Sequence, residues 1–158
     1  MEKLFGHKVR VRVCGLLVQD DALLMVHLDA PTRPEPFWSV PGGGLNHGEK
    51  IEDALRREML EETGLTVRVG ALFYVSEFIQ DPFHAVELYF LCEMESGMIG
   101  VGVDPEFGDG KQIIKDVAFI SLDQLSDVEV FPEFIRHQFA QDWRSGTSTP
   151  KWIRSDAP

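Results

Sequence analysis

Cysteine, cationic side chains and long apolar runs are all scarce in this chain. Its two cysteines, Cys14 and Cys92, fall in strand-like runs with no metal-ligand spacing between them. That excludes a disulfide framework or a zinc site and leaves reduced core residues. Fifteen Lys and Arg against 26 Asp and Glu give a formal net charge of −11. Backbone binding to nucleic acid depends on clustered cations, so a general nucleic-acid binder is excluded. No apolar run approaches the ~20 residues of a membrane span. The N-terminal MEKLFGHKVR also lacks the apolar segment of a signal peptide. A cytoplasmic location without membrane partners is therefore expected. There is no internal repeat and no linker, so residues 1–144 read as one domain and 145–158 as a polar C-terminal tail, expected to fray.

What the chain does have is concentrated between Gly43 and Leu65, GGLNHGEKIEDALRREMLEETGL. The stretch reads as a glycine-rich loop feeding a helix that stops at Thr63-Gly64, because glycine adopts the left-handed conformation of a helix end without strain. Glu49, Glu52 and Asp53 put negative charge at the favourable end of the helix dipole. Ile51, Ala54 and Leu55 start an ordinary buried stripe. Its continuation at 58, 61 and 62 carries Glu58, Glu61 and Glu62 where a plain core helix would carry Leu or Val. Like charges three and four residues apart repel, and charge turned inward must be paired or bound to metal. A divalent cation is the simplest compensation, and oxygen ligands of this kind suit Mg²⁺, Mn²⁺ or Ca²⁺. The acidic balance points the same way, since a phosphate substrate is repelled unless cations bridge it to the protein.

Gly43, five residues, Glu49, seven residues, then Arg57-Glu58-Met59-Leu60-Glu61-Glu62-Thr63-Gly64-Leu65 resembles the complete box of the Nudix hydrolases. No specified position departs from it, and its many fixed residues make it far more specific than a lone glycine motif. The resemblance covers 23 of 158 residues. It implies a hydrolase, MutT-like, that cleaves a nucleoside diphosphate linked to another group, with Mg²⁺ or Mn²⁺ as cofactor. Glu58 and Glu62 would be the principal metal ligands, and Glu61 a ligand directly or through water. A backbone carbonyl of Gly42 or Gly43 would complete the metal set. Arg57 would pair with Glu49 and Glu61 and steady the loop against the helix, a structural role. The general base is either a box glutamate such as Glu58 or an acid on the loop of residues 97–111, with Glu106 placed before Asp104.

The flanks supply strands. Lys8 to Val13 alternates basic and valine residues with the period of a half-buried strand. It continues to Val18, turns at Asp20-Asp21 and returns from Ala22 to Leu28 as a hairpin. Ala30 to Pro36, with three prolines, is loop. Phe37 to Val40 is a short strand, Thr66 to Gln80 a strand bent near Gly70, Ala85 to Met94 its partner and Ile113 to Ile120 another strand. Ser121 caps a short helix, and Pro132 to Trp143 is the last helix, with Pro132 in its first turn. Pattern alone gives α plus β around one mixed sheet. By resemblance to the Nudix layout it becomes an α/β/α sandwich, a mixed β-sheet between helices.

The partner expected is a small nucleotide, with no nucleic acid; a homodimer is left open. The substrate is less defined: a nucleoside triphosphate, or a nucleotide sugar or ADP-ribose. Pro82 lies seventeen residues past Leu65, close to but off the spacing associated with ADP-ribose hydrolases, and no coenzyme A signature precedes the box. Phe37, Phe73, Phe78, Phe83 and Phe131 are available to stack on a base, although most read as core. Arg33 reads as solvated, Trp38 as core, His47 as surface, and His27 and His84 as sheet residues. Two other classes remain. One is a non-catalytic nucleotide sensor on the same fold, which typically lacks box glutamates that this chain retains. The other is a hydrolase of capped or 5′-triphosphate RNA, which needs a basic groove that the charge does not support.

Overall fold

Asp20 and Asp21 both take positive φ, 51° and 58°, a conformation short polar side chains tolerate and a two-residue hairpin requires. They join β1 (Val9–Gln19) to β2 (Ala22–Leu28), with Val18 opposite Leu23 and Gln19 opposite Ala22. The computed structural model describes residues 2–31, 33–101 and 113–154. The expectations placed on Asp104 and Glu106 lie outside the described residues.

A short helix α1 (Glu2–Phe5) precedes the hairpin. After it come β3 (Phe37–Ser39), β4 (Gly42–Gly44), α2 (Ile51–Thr63), β5 (Leu65–Gln80) and β6 (Phe83–Gly97). Then follow β7 (Ile114–Ser121), a 3₁₀ turn (Leu122–Asp127), α3 (Glu133–His137), α4 (Phe139–Ser145) and β8 (Lys151–Ile153). The strands lie in the order β3-β2-β1-β6-β5-β8, with β4 also beside β1 and β7 beside β2. The β1–β6 and β5–β8 pairs are parallel and the others antiparallel, so the sheet is mixed. Helices cover both of its faces. Ala54, Leu55 and Met59 of α2 pack with Val13, Leu17, Val67 and Ile114. Ile135 and Phe139 of α3 and α4, with Leu122 and Leu125, pack with Leu16, Met25, Tyr74 and Tyr89. This is the α/β/α sandwich expected.

Several local expectations need correction. Residues 145–154 do not simply fray: Lys151–Ile153 pair parallel to Tyr74–Ser76 at the edge of the sheet. The last helix is two helices, broken at Gln138, whose φ of −118° departs from helical geometry. Pro132 precedes α3 as its N-cap and is not in its first turn. Ser121 makes no side-chain capping hydrogen bond. The glycine loop is itself a strand, with Gly42, Gly43 and Gly44 opposite Cys14, Val13 and Arg12. On β1 the alternation is real, but Val9 and Val11 point outward, 63% and 38% exposed. The ladder shifts register between Val69 and Leu72, which places the irregularity expected near Gly70.

Candidate active site

Helix α2 carries the site because its buried stripe runs 54, 55, 58, 59, 62, 63, the i, i+3/i+4 spacing of one face. Ile51, expected on that face, is exposed. The stripe begins with Ala54 and Leu55, and beyond them Glu58 and Glu62 alternate with Met59 and Thr63. Glu58 is 4% and Glu62 6% exposed, four residues apart and therefore stacked on one face. Glu61 lies to the side, its side chain 30% exposed. Gly64 closes the helix in the left-handed conformation, φ 79°, its N–H donating to Leu60 O.

Strand β4 lies against this acidic edge. A Cβ on Gly43 would stand 2.3–2.5 Å from the Glu58 carboxyl atoms, so only glycine lets the carboxylate sit there. The Gly42 N–H donates to Glu62 Oε2 at 3.0 Å. Arg57 closes the arrangement from the other side. Its Nε and Nη2 donate to Glu49 Oε1 and Oε2 at 2.8 and 2.9 Å, a bidentate pair. Nη2 also reaches Gly44 O at 3.3 Å. Nη1 donates to Glu58 Oε1 at 2.7 Å and to Glu61 Oε2 at 3.4 Å. The hydrogen bond from Arg57 holds the Glu49 carboxyl below its usual range. The bond to Glu49, joined by that to Glu58, raises Arg57 further above neutrality.

The donor set suits a hard divalent cation: two buried carboxylates, a third half-exposed, and a close-packed glycine backbone. Among the described residues no three acidic, His or Cys side chains converge tightly enough to hold an ion alone. An ion held there would draw its remaining ligands from water and substrate phosphates, as Mg²⁺ does. Gly42, Gly43 and Glu62 line a pocket of about 180 Å³. Arg10, Arg12 and Glu87 line it, and Phe37, Phe78, Phe83 and Phe131 supply apolar walls. A carboxylate edge, two arginines and aromatic walls meet in this pocket.

A NUDIX domain model matches residues 6–141, which takes in the helix, the glycine strand and all of the pocket lining except Phe5. The chain belongs to the Nudix hydrolases. It is 28% identical over 149 residues to an ADP-ribose pyrophosphatase of Methanocaldococcus jannaschii, covering 91% of this chain and 79% of that protein. It is 46% identical over 56 residues to the nucleoside triphosphatase NudI of Escherichia fergusonii, covering 35% of this chain and 40% of that one. It is 38% identical over 91 residues to human diphosphoinositol polyphosphate phosphohydrolase 3-alpha, of whose length it spans about half (57% of this chain, 54% of that one). Among solved structures, a NUDIX hydrolase from Nitrosomonas europaea superposes with a TM-score of 0.71 at 24% identity, over 90% of this chain and 93% of that one. That likeness extends to the fold.

Within this Nudix fold the other candidates separate. Phe73 is core and makes edge contacts with Tyr74 and Phe139, while the other four phenylalanines reach the pocket. Arg33 is not simply solvated: its guanidinium lies over Phe131 and Phe37, 4.5 and 5.2 Å from the ring centroids. Trp38 stacks on His27 at 4.7 Å. His84 lines the pocket, and His47 lies in a separate outer groove. Arg12, Glu87 and Tyr89 gave no signal in the sequence as pocket residues. The one clue was period-two alternation, which does not say which face is inside.

Proposed function

We propose that this Nudix hydrolase uses Mg²⁺ or Mn²⁺ to hydrolyse the diphosphate linkage of a small nucleotide, with ADP-ribose or a related nucleoside diphosphate conjugate placed before a nucleoside triphosphate. The observation that carries the reading is the buried pair Glu58 and Glu62, packed on the glycine strand, which lines an arginine-bearing pocket together with Glu62. Arg57 and the Gly42 N–H answer part of this buried charge, and a divalent cation between the two carboxylates would offset their mutual repulsion further. The ADP-ribose preference draws on the archaeal pyrophosphatase, the relative among those above that covers most of this chain.

Glu58 and Glu62 would hold the cation, with Glu61 joining directly or through water and a Gly43 or Gly42 carbonyl completing the set. The bound ion would neutralise the phosphate oxygens and make a coordinated water more acidic. Arg57 and Glu49 fix the loop and helix and take no part in bond making. Glu106 or Glu58 accepts the proton of the attacking water. The water oxygen bonds to phosphorus as the bridging P–O bond breaks, and the two products each keep a phosphate. The pocket phenylalanines exclude water from the base and give it apolar surface. The box glutamates favour this reading over that of a sensor.

The test is a panel of nucleotides, including ADP-ribose, nucleotide sugars and nucleoside triphosphates, with Mg²⁺ or Mn²⁺. Wild type should turn over at least one, and Glu62→Gln should lose at least 100-fold in kcat. Full activity in Glu62→Gln would end the metal assignment. Tight binding of one nucleotide with no turnover of any would make the protein a sensor.

A further inference from the structure

The pocket holds an ion pair that the hydrolysis just described does not use. Strands β1 and β6 run parallel and in register, with Arg10 beside Ala85, Arg12 beside Glu87 and Cys14 beside Tyr89. Side chains alternate across a strand, so these six share one face, and all six line the pocket. Arg12 Nη1 donates to Glu87 Oε2 at 2.9 Å, and the Tyr89 hydroxyl lies 3.4 Å from the other Glu87 oxygen. The two partners differ in exposure. The Glu87 side chain is sealed at 7%, while that of Arg12 is open at 36%.

An internal pair of this kind adds little stability over apolar residues of the same size. Here the buried partner instead fixes the direction of the exposed one. Burial is the largest single influence and opposes the charge on Arg12, but Glu87, joined by Cys14, Tyr89 and Glu62, together outweigh it and hold the guanidinium charged. The backbone brings this group to the acidic edge: Arg12 pairs across β1–β4 with Gly44, two residues from the Gly42 whose N–H holds Glu62. A guanidinium carries five N–H donors in a planar fork suited to phosphate oxygens, and the bond to Glu87 occupies Nη1.

We propose that Arg12 binds a phosphate of the substrate in the pocket floor, and that Glu87 is the positioning residue that aims it. The inference rests on the diphosphate reading of this pocket. The phosphate chain would then be gripped on one side by the ion at Glu58 and Glu62 and on the other by Arg12. For a chain of net charge −11, a fixed cation in the pocket supplies attraction for an anionic substrate before any metal binds.

The experiment is calorimetric titration of ADP, and of adenosine as a control, into the full chain in EDTA. Wild type should bind ADP, and Arg12→Ala should weaken it at least tenfold while changing adenosine less than twofold. Glu87→Gln, which keeps a hydrogen-bond acceptor, should weaken ADP two- to fivefold. Glu87→Ala should match Arg12→Ala, and the Arg12→Ala/Glu87→Ala double variant should be no weaker than Arg12→Ala alone. Where Glu87→Ala does not fold, Glu87→Gln and the double variant, in which no charge is stranded, decide the matter. In turnover assays the same variants should raise KM more than they lower kcat.

No ADP binding by wild type, ADP affinity in Arg12→Ala within twofold of wild type, or equal losses for ADP and adenosine would each overturn the proposal. So would additive effects in the double variant, or a Glu87→Gln enzyme that loses kcat 100-fold at unchanged KM, which would make Glu87 a proton acceptor. Failure of the hydrolase reading is seen elsewhere, as turnover that survives Glu62→Gln, and EDTA binding of ADP is independent of that result.

Discussion

Gly43 and Glu58 set a close local constraint in the site, because a side chain on Gly43 would occupy the place of the carboxylate. With 2.3–2.5 Å between a would-be Cβ and the Glu58 carboxyl, Gly43→Ala must push the carboxylate off the glycine strand. We expect at least a tenfold loss of metal-dependent turnover in that variant with near-native circular dichroism. Arg57→Lys should also lose activity, because a single ammonium cannot make the paired bonds to Glu49. A loss of about 1–2 kcal/mol in chemical denaturation should accompany it. The two thiols give a further check. Burial pushes Cys92 up to about 12 and Cys14 higher still, so neither should react with a disulfide reagent at pH 8 until the protein unfolds. The box residues were legible in the sequence because their spacing is specified and their charge contradicts the stripe they continue. Arg12 and Glu87 were not, since an alternating strand leaves open which face meets a cavity.

At the scale of elements, the least expected feature is β8 and its anchor. Asp142 is 5% exposed and accepts from Tyr74 Oη at 2.7 Å, from Gln138 Nε2 at 3.0 Å and from Lys151 Nζ, joining α4, β5 and β8. Burial would raise its carboxyl, but these donors, Lys151 foremost, outweigh it and hold the group below its usual range. A depressed folded-state value means stability fully present above the unfolded carboxylate range near 4 and lost as pH falls through the folded one. Asp142→Asn should therefore be less stable at neutral pH by about 1–3 kcal/mol and show a flatter loss of stability below pH 4, read by urea denaturation at several pH values. A polar tail with Pro150 ahead of a three-residue strand offers no pattern long enough to find, because its partners Tyr74 and Asp142 are distant in sequence. The break at Gln138 has no breaker residue to announce it. The hairpin at Asp20-Asp21 and the stop at Gly64 were legible because a backbone conformation there demands a particular residue type.

For the whole molecule, two apolar clusters on opposite sides of one mixed sheet leave the acidic edge of α2 and the arginine-bearing face of β1 around the same pocket. The order of strands and helices reached only α plus β around one mixed sheet and the layering came from the family resemblance, while the pocket emerged only from the in-register pairing of β1 with β6. Among the described residues no helix is long and apolar enough to cross a membrane. The account stands on a divalent ion held by Glu58 and Glu62, and Mn²⁺ binding followed by electron paramagnetic resonance, with ADP present, tests it most directly. Wild type should deplete free Mn²⁺ saturably, and Glu58→Gln/Glu62→Gln should bind it at least tenfold more weakly. Equal Mn²⁺ affinity in the two proteins would contradict the account.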